Sequence, residues 1–178
     1  NISAGPDHTN FKLTGSGESI GLYVNADTPI ATVVFPKQFE GVSQGRLPDG
    51  STNITFFPGS ATPGDANFKP LTAVIVSEVL SHSNTNSIED AIELQNVSAV
   101  TVDIGGWYLS DAERDLKKYL IPSPTVLLPG RYAVFYENQF NVNPDDDASF
   151  ALDSGKGDQV FLSTADTNRN LTGYRTSV

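Results

Sequence analysis

The densest group of side chains that could do chemistry is a run of three carboxylates, Asp145, Asp146 and Asp147, which follows the sequence Asn-Val-Asn-Pro. Adjacent carboxylates with amide oxygens nearby are hard ligands of the kind that calcium prefers. Their spacing is not that of an EF-hand loop, so the pattern favours a solvated turn ahead of the next strand, with a calcium site as the alternative. Glu89, Asp90 and Asp111 would join such a site only if the fold brings their loops together.

The two histidines lie outside any catalytic pattern. His8 follows Gly-Pro-Asp near the first residue, and His82 lies between two serines after an apolar run. The 178 residues contain no Gly-x-Ser-x-Gly nucleophile elbow, no His-Glu-x-x-His zinc motif and no Gly-rich phosphate loop. We interpret both histidines as solvated loop residues and expect no enzymatic activity, no catalytic residue and no cofactor.

The composition excludes several classes of partner. Only 11 Lys and Arg residues face 21 Asp and Glu residues, which gives a net charge of −10. Phosphate binding needs clustered basic residues, so we expect no nucleic-acid partner. No window approaches the roughly 18 consecutive apolar residues of a membrane span, so we expect no membrane insertion. Cysteine is absent, which excludes disulfides and thiolate metal sites.

Four Asn-x-Ser/Thr triplets provide candidate glycosylation sites. They begin at Asn1, Asn53, Asn96 and Asn170. This triplet is the acceptor sequence for N-glycosylation and fits a glycoprotein at a cell surface. The chain is also rich in Asn, Ser and Thr, so the alternative is that the triplets arise by composition alone.

Apolar residues alternate with a period of two in most of the chain, which predicts strands. The alternating sets are Ile20/Leu22/Val24, Val74/Val76/Val79 with a slip, Ile92/Leu94, Val100/Val102/Ile104 and Val160/Leu162. Gly- and Pro-rich turn sequences separate these sets. No stretch keeps a helical period, and residues 111–120 could form one helical turn at most. The sequence therefore predicts an all-β fold.

One segment occurs twice. Residues 11–22 and 150–162 both read aromatic, x, Leu, then Gly-x-Gly-acid, then alternating apolar residues. After a one-residue shift the two copies are 140 residues apart, about one domain length. Two prolines and a glycine within residues 62–70 provide the best inter-domain linker. We therefore expect two copies of the same sandwich segment.

From Ala73 onward, the order of motifs resembles the lamin-tail domain. The resemblance rests on five elements in the family's order, which are Val74–Val79, Ala91–Asn96, Val102–Asp111, Leu127–Tyr132 and Phe150–Leu162. It implies an immunoglobulin-like β-sandwich that acts as a recognition and assembly module, as in nuclear lamins and in bacterial and archaeal secreted proteins. It also implies that Trp107 packs in the core; a sugar-stacking surface is the alternative for this residue. Arg46 is expected to order its turn by bonding a backbone carbonyl or Asp49.

Residues 1–67 resemble the C-terminal portion of a first lamin-tail-like sandwich, through Ser43–Gly50 and Thr62–Asn67. Residues 68–178 resemble a second sandwich that lacks its last strands. An incomplete sandwich leaves strand edges and an apolar face unpaired. Either the chain is a window from a tandem array, or residues of the first copy supply strands to the second, in the same chain or in a neighbour.

These expectations combine into one hypothesis about function. The chain is expected to be a non-enzymatic, extracellular structural or adhesive module, secreted or at the cell surface. It would self-associate into a filament, surface layer or tandem array by strand complementation, with other copies of itself or neighbouring domains as partners. The alternative is an accessory protein- or carbohydrate-binding module of a larger secreted hydrolase.

Overall fold

The computed structural model describes residues 9, 11–81 and 89–178, which form strands, turns and one helical turn. They divide into two compact units. The first unit extends to Gly45 and includes Ile54–Ala61, and the second consists of Arg46–Asn53 and Thr62–Val178. Arg46–Asn53 therefore belong to the second unit, although they lie within the segment 1–67 that the sequence assigns to a first sandwich.

The first unit begins with a β-hairpin, in which β1 (Glu18–Asn25) pairs antiparallel with β2 (Thr28–Phe35). The side chain of Asn25 forms the turn, because its Oδ1 accepts the backbone N–H groups of Asp27 at 3.1 Å and Thr28 at 3.0 Å. The predicted strand through Ile20, Leu22 and Val24 is confirmed as β1, although its register against β2 shifts between Leu22 and Tyr23 and between Tyr23 and Asn25.

A second hairpin pairs β3 (Val42–Arg46) with β4 (Ile54–Pro58). Next to it, the ring of Phe39 packs edge-to-face on that of Phe56, with 5.7 Å between ring centroids. Arg46, the last residue of β3, and the connecting residues 47–53 are part of the second unit.

The second unit contains a five-stranded sheet and a three-stranded sheet. The larger sheet has the order β10-β9-β13-β14-β5 and is antiparallel except where β5 lies parallel to β14. Its strands are β5 (Lys69–Pro70), β9 (Tyr108–Ser110), β10 (Tyr119–Leu120), β13 (Phe161–Ala165) and β14 (Leu171–Ser177).

The smaller sheet has the order β12-β7-β6 and is antiparallel throughout. Its strands are β6 (Val74–Leu80), β7 (Ala91–Asn96) and β12 (Tyr132–Tyr136).

Two short elements complete this unit. A two-stranded ribbon pairs β8 (Val102–Asp103) with β11 (Val126–Leu127). A single helical turn, α1 (Glu137–Phe140), follows β12 and buries Phe140.

Both sheets of the second unit contribute to one apolar core. Ile92 and Leu94 from the smaller sheet, and Leu109 and Leu162 from the larger, are fully buried in the same cluster. Each such residue stabilises the fold by about 1.5–3 kcal/mol relative to exposure. The predicted all-β, immunoglobulin-like sandwich is confirmed for these residues.

The slip predicted in Val74, Val76 and Val79 is also confirmed. All three contact the core, and the register of β6 against β7 shifts between Val76 and Glu78. The extra residue of this β-bulge lets the strand keep one apolar face although the sequence loses its period of two.

Residues 111–120, for which the sequence allows one helical turn at most, form a turn and the strand β10. The Ser110 hydroxyl holds this turn, because it accepts the Ala112 N–H and donates to the Asp115 carbonyl.

One local prediction, the strand that begins at Val100, is wrong. Val100 is exposed and outside any strand. The side-chain amide of the buried Asn96 donates to the backbone carbonyl of Val100 and so holds Val100 in a turn.

Candidate protein-interaction surfaces

The three aspartates proposed as a calcium site are exposed in a turn after α1. Asp146 organises that turn, because its Oδ1 accepts the Ala148 N–H at 3.0 Å and its backbone N–H donates to the Asn143 carbonyl at 2.9 Å. This arrangement uses a carboxylate oxygen of Asp146 to cap the backbone. It therefore gives the calcium alternative no geometric support.

The other acidic residues do not join this turn. Glu89 accepts hydrogen bonds from Asn138, and Asp111 pairs with Lys118 at 2.6 Å between Oδ1 and Nζ. Across residues 9, 11–81 and 89–178, no group of three or more His, Cys, Asp or Glu side chains is placed to hold a metal ion. Both histidines, His8 and His82, lie outside the described residues.

The glycosylation candidates lie in different environments. Asn1 lies outside the described residues, whereas Asn53 and Asn170 are exposed. Asn96 is fully buried, and its Nδ2 donates to the carbonyls of Val100 at 2.7 Å and Leu127 at 2.9 Å. A glycan would replace one of the two hydrogens on that nitrogen, break at least one of the bonds and open the core. The folded domain is therefore incompatible with glycosylation at Asn96, and the other three sites stay predictions.

Trp107 and Arg46 have structural roles. Trp107 is partly buried and packs against the core cluster, as the sequence predicts. Arg46 donates from Nη1 to the Ser51 carbonyl and so orders its own turn. Asp49, the alternative partner, instead accepts the Asn67 N–H at 3.1 Å.

The turn between β13 and β14 is organised by Asp166. Its carboxylate accepts the backbone N–H groups of Asn168 and Asn170, each at 2.9 Å. The Asn170 backbone bond is the main cause that lowers the pKa of Asp166 below its ordinary value of 3.8. This carboxylate therefore caps the turn.

The outer face of the five-stranded sheet contains a buried cation. The guanidinium of Arg175 stacks 3.9 Å from the centroid of the Phe68 ring and lies 5.7 Å from that of Phe161. Its Nη2 also contacts Glu113 Oε1 at 2.7 Å, and the Arg175 side chain is only 7% exposed. Its register partner Ser163 is buried with no hydrogen-bond partner for its hydroxyl. This cluster joins residues distant in sequence and has a structural role.

Among the described strands that expose large apolar side chains, two surfaces are candidates for contact with a partner. The first, which we name the hairpin face, consists of Ile20 and Leu22 on β1, with exposures of 37% and 61%. A single two-stranded hairpin has no second layer of its own to bury such a face. The hairpin face is therefore a candidate contact surface.

The second, which we name the outer sheet face, is the side of the three-stranded sheet opposite the core. Tyr132, Val134 and Tyr136 project from it at alternate positions of β12. No motif in the sequence marks these residues as a surface. Their period-two spacing could have predicted that they share one face of a strand. Only the register of β12 against β7 shows which carboxylates lie beside them.

No described helix is long and apolar enough to cross a membrane.

Comparison with known proteins is consistent with this geometry. The Lamin Tail Domain family model matches residues 69–176, more than half of the chain and nearly all of its sandwich. Comparison with curated protein sequences gives no match. The lamin-tail domain is a non-catalytic, immunoglobulin-like domain that suggests a role in protein interactions. On its fold, its core and this match, the chain belongs to the lamin-tail domain family.

Proposed function

We propose that this chain is a non-enzymatic, extracellular structural module that assembles with other copies of itself by strand complementation. The observation that carries the proposal is a repeated hairpin whose apolar face is buried in one copy and exposed in the other. The extracellular location rests on the resemblance to lamin-tail domains of secreted proteins and on the acidic, cysteine-free composition.

The two hairpins share the geometry of the turn that precedes them. Gly17 and Gly157, which match in the sequence repeat, both have a positive φ, at 103° and 77°. The acidic residue after each glycine caps the incoming backbone, since Glu18 accepts the Thr14 N–H and Asp158 accepts the Asp153 N–H. An antiparallel hairpin follows in each case, β1–β2 or β13–β14. These shared details support an equivalence between the hairpins.

The surroundings of the two hairpins differ. In the later one, Val160 and Leu162 are 2% and 0% exposed, because β13 pairs with β9 and faces the core. The matching residues of the earlier hairpin, Ile20 and Leu22, are 37% and 61% exposed. A hairpin with the same apolar pattern needs a comparable sheet to cover it.

A second copy offers open sheet edges for this purpose. In the described residues of the sandwich, β10 and β5 end the larger sheet, and β12 and β6 end the smaller one. An added hairpin would pair with such an edge through main-chain hydrogen bonds and would cover its own apolar face there. Because donor hairpin and acceptor edge are different surfaces, the contact is heterologous, and its repetition builds a ring or an open chain of copies.

The test is the molar mass of the chain in solution, measured by light scattering after size-exclusion chromatography across a concentration series. We expect a mass above 19.1 kDa that increases with concentration. Leu22→Asp should keep the chain at 19.1 kDa, because a carboxylate would then have to be buried with the hairpin face.

The matched control is Thr32→Asp, which adds the same charge at an exposed position of the same hairpin, where Thr32 pairs with Gly21. We expect this variant to assemble like the unmodified chain. A mass of 19.1 kDa at every concentration would overturn the proposal and favour the accessory-module alternative. Equal assembly by Leu22→Asp would show that the hairpin face is not the contact.

A further inference from the structure

We propose that the outer sheet face binds an extended basic segment of a partner protein with the pattern apolar-x-Lys/Arg-x-apolar. This inference does not depend on self-assembly, because it concerns a different surface and a partner other than a second copy.

The register of the three strands arranges the outer sheet face in three rows that run across the sheet. The first row is Leu80, Ala91 and Tyr136, the second is Glu78, Glu93 and Val134, and the third is Ile75, Gln95 and Tyr132. Successive rows are two residues apart along β7 and β12, which is about 6.8 Å; on β6 the bulge between Val76 and Glu78 places Ile75 and Glu78, three residues apart in sequence, in successive rows. The face therefore carries two carboxylates in its middle row and mostly apolar side chains in the rows on either side.

The middle row places two like charges side by side. Glu78 and Glu93 are direct register partners on neighbouring strands, so their Cβ atoms are about 5 Å apart. Like charges in this position destabilise a sheet, and a cation between them would relieve the repulsion. The Ser77 hydroxyl donates to Glu93 Oε1 at 2.7 Å, and no described Lys or Arg forms an ion pair with either carboxylate.

A third carboxylate extends the acidic centre at one end of the groove. Glu89 lies with Glu78 and Glu93 in the lining of a shallow groove of about 620 Å³, which also includes Leu80 and Tyr136. Asn138 fixes Glu89 there by donating from its backbone N–H at 3.3 Å and from its side-chain amide at 3.2 Å.

The apolar rows provide the rest of the binding surface. Tyr136 is 48% exposed and Tyr132 is 53% exposed, and Tyr132 is oriented by the 2.8 Å hydrogen bond that its hydroxyl accepts from Gln95. Rigid aromatic side chains give contact area at a low cost in conformational entropy. Alternate side chains of an extended segment project to one side with a spacing of about 6.8 Å. Such a segment can therefore place one basic residue over the middle row and an apolar residue over each flanking row.

The negative charge of the outer sheet face determines which class of partner can bind there. The chain has a net charge of −10, so a second copy would be repelled from a face with three carboxylates, and so would nucleic acid. A basic protein segment is the partner with complementary charge.

The test is a titration of the isotopically labelled chain, followed by its backbone amide NMR signals. The probe is the peptide acetyl-Ser-Val-Thr-Lys-Thr-Tyr-Ser-amide, used with the Leu22→Asp chain so that self-association does not interfere. We expect shifts confined to amides of β6, β7 and β12. A peptide with Glu in place of the Lys should cause none.

Two variants test the acidic centre. Glu78→Gln and Glu93→Gln should each weaken peptide binding about threefold, as for a partly exposed ion pair, and Glu40→Gln, an exposed control outside the sandwich, should not change it. The proposal is overturned if the lysine peptide gives no shifts, if the Glu peptide binds equally, or if both variants bind like the unmodified chain. Concentration-dependent shifts of the same amides without peptide would instead identify a second copy as the occupant.

Discussion

At the scale of single residues, the best-defined polar interaction is the one around Arg175. Its guanidinium stacks on Phe68 while contacting Glu113, and the side chain is 7% exposed. A planar guanidinium can stack and donate to a carboxylate at the same time, whereas an ammonium cannot reproduce the stacking. The interaction connects the segment before β5, the loop after β9 and the strand β14.

We expect Arg175→Lys to lower the free energy of unfolding by about 1–2 kcal/mol, although the charge is retained. The measurement is urea denaturation followed by the fluorescence of Trp107, which packs against the core of the same unit. The matched control is Arg114→Lys, since Arg114 forms an ion pair with Asp65 but is 87% exposed.

The control should change stability by less than about 0.5 kcal/mol, because an exposed ion pair contributes little. Equal effects of the two substitutions would mean that the stacking on Phe68 does not stabilise the fold.

At the scale of elements, the segment Arg46–Asn53 is held against β14 by a close approach at Gly173. A Cβ atom at this glycine would overlap the Leu47 side chain, and the residue has a φ of 83°. Leu47 itself is 6% exposed. The contact therefore requires glycine for two reasons, its backbone conformation and the lack of a side chain.

We expect Gly173→Ala to lower the free energy of unfolding by about 2–4 kcal/mol, from the sum of backbone strain and overpacking. Gly157→Ala separates the two causes, because Gly157 has a similar φ of 77° and open space around its Cβ position. Gly157→Ala should lower the free energy of unfolding by only about 1 kcal/mol.

A double-mutant cycle then tests the contact itself. Adding Leu47→Ala to Gly173→Ala removes the overlap, so the pair should be less destabilised than the sum of the single changes. Strict additivity in the same urea denaturation would contradict the proposed contact between this segment and β14.

The sequence predicted elements whose signals are local. Alternation identified β1, β7 and the bulged strand β6, because the apolar pattern of each is contained within a few residues. It did not predict the turn in residues 111–120, where the hydroxyl of Ser110 forms backbone bonds that no periodicity reports.

The candidate surfaces depend on register and were harder to predict. Glu78 and Glu93 are 15 residues apart in sequence and become neighbours only through a bulge between Val76 and Glu78. A shift of one residue would move either side chain to the opposite face. The contact of Arg175 with Glu113 likewise spans 62 residues and leaves no pattern in the sequence.

At the scale of the whole molecule, the charge of −10 affects the two proposed interactions in opposite ways. Copies of an acidic chain repel one another, whereas a basic segment is attracted to the outer sheet face. Added salt screens both effects, because the Debye length falls from about 30 Å at 0.01 M to about 10 Å at 0.1 M ionic strength.

Raising the NaCl concentration from about 0.01 M to about 0.1 M should therefore strengthen self-association and weaken binding of the lysine peptide. Light scattering measures the first, and the NMR titration of the Leu22→Asp chain measures the second. Self-association that weakens with salt would mean that copies attract through ion pairs instead of the apolar hairpin face. Peptide binding that is indifferent to salt would mean that Glu78 and Glu93 do not attract the lysine, and the two proposals can thus fail separately.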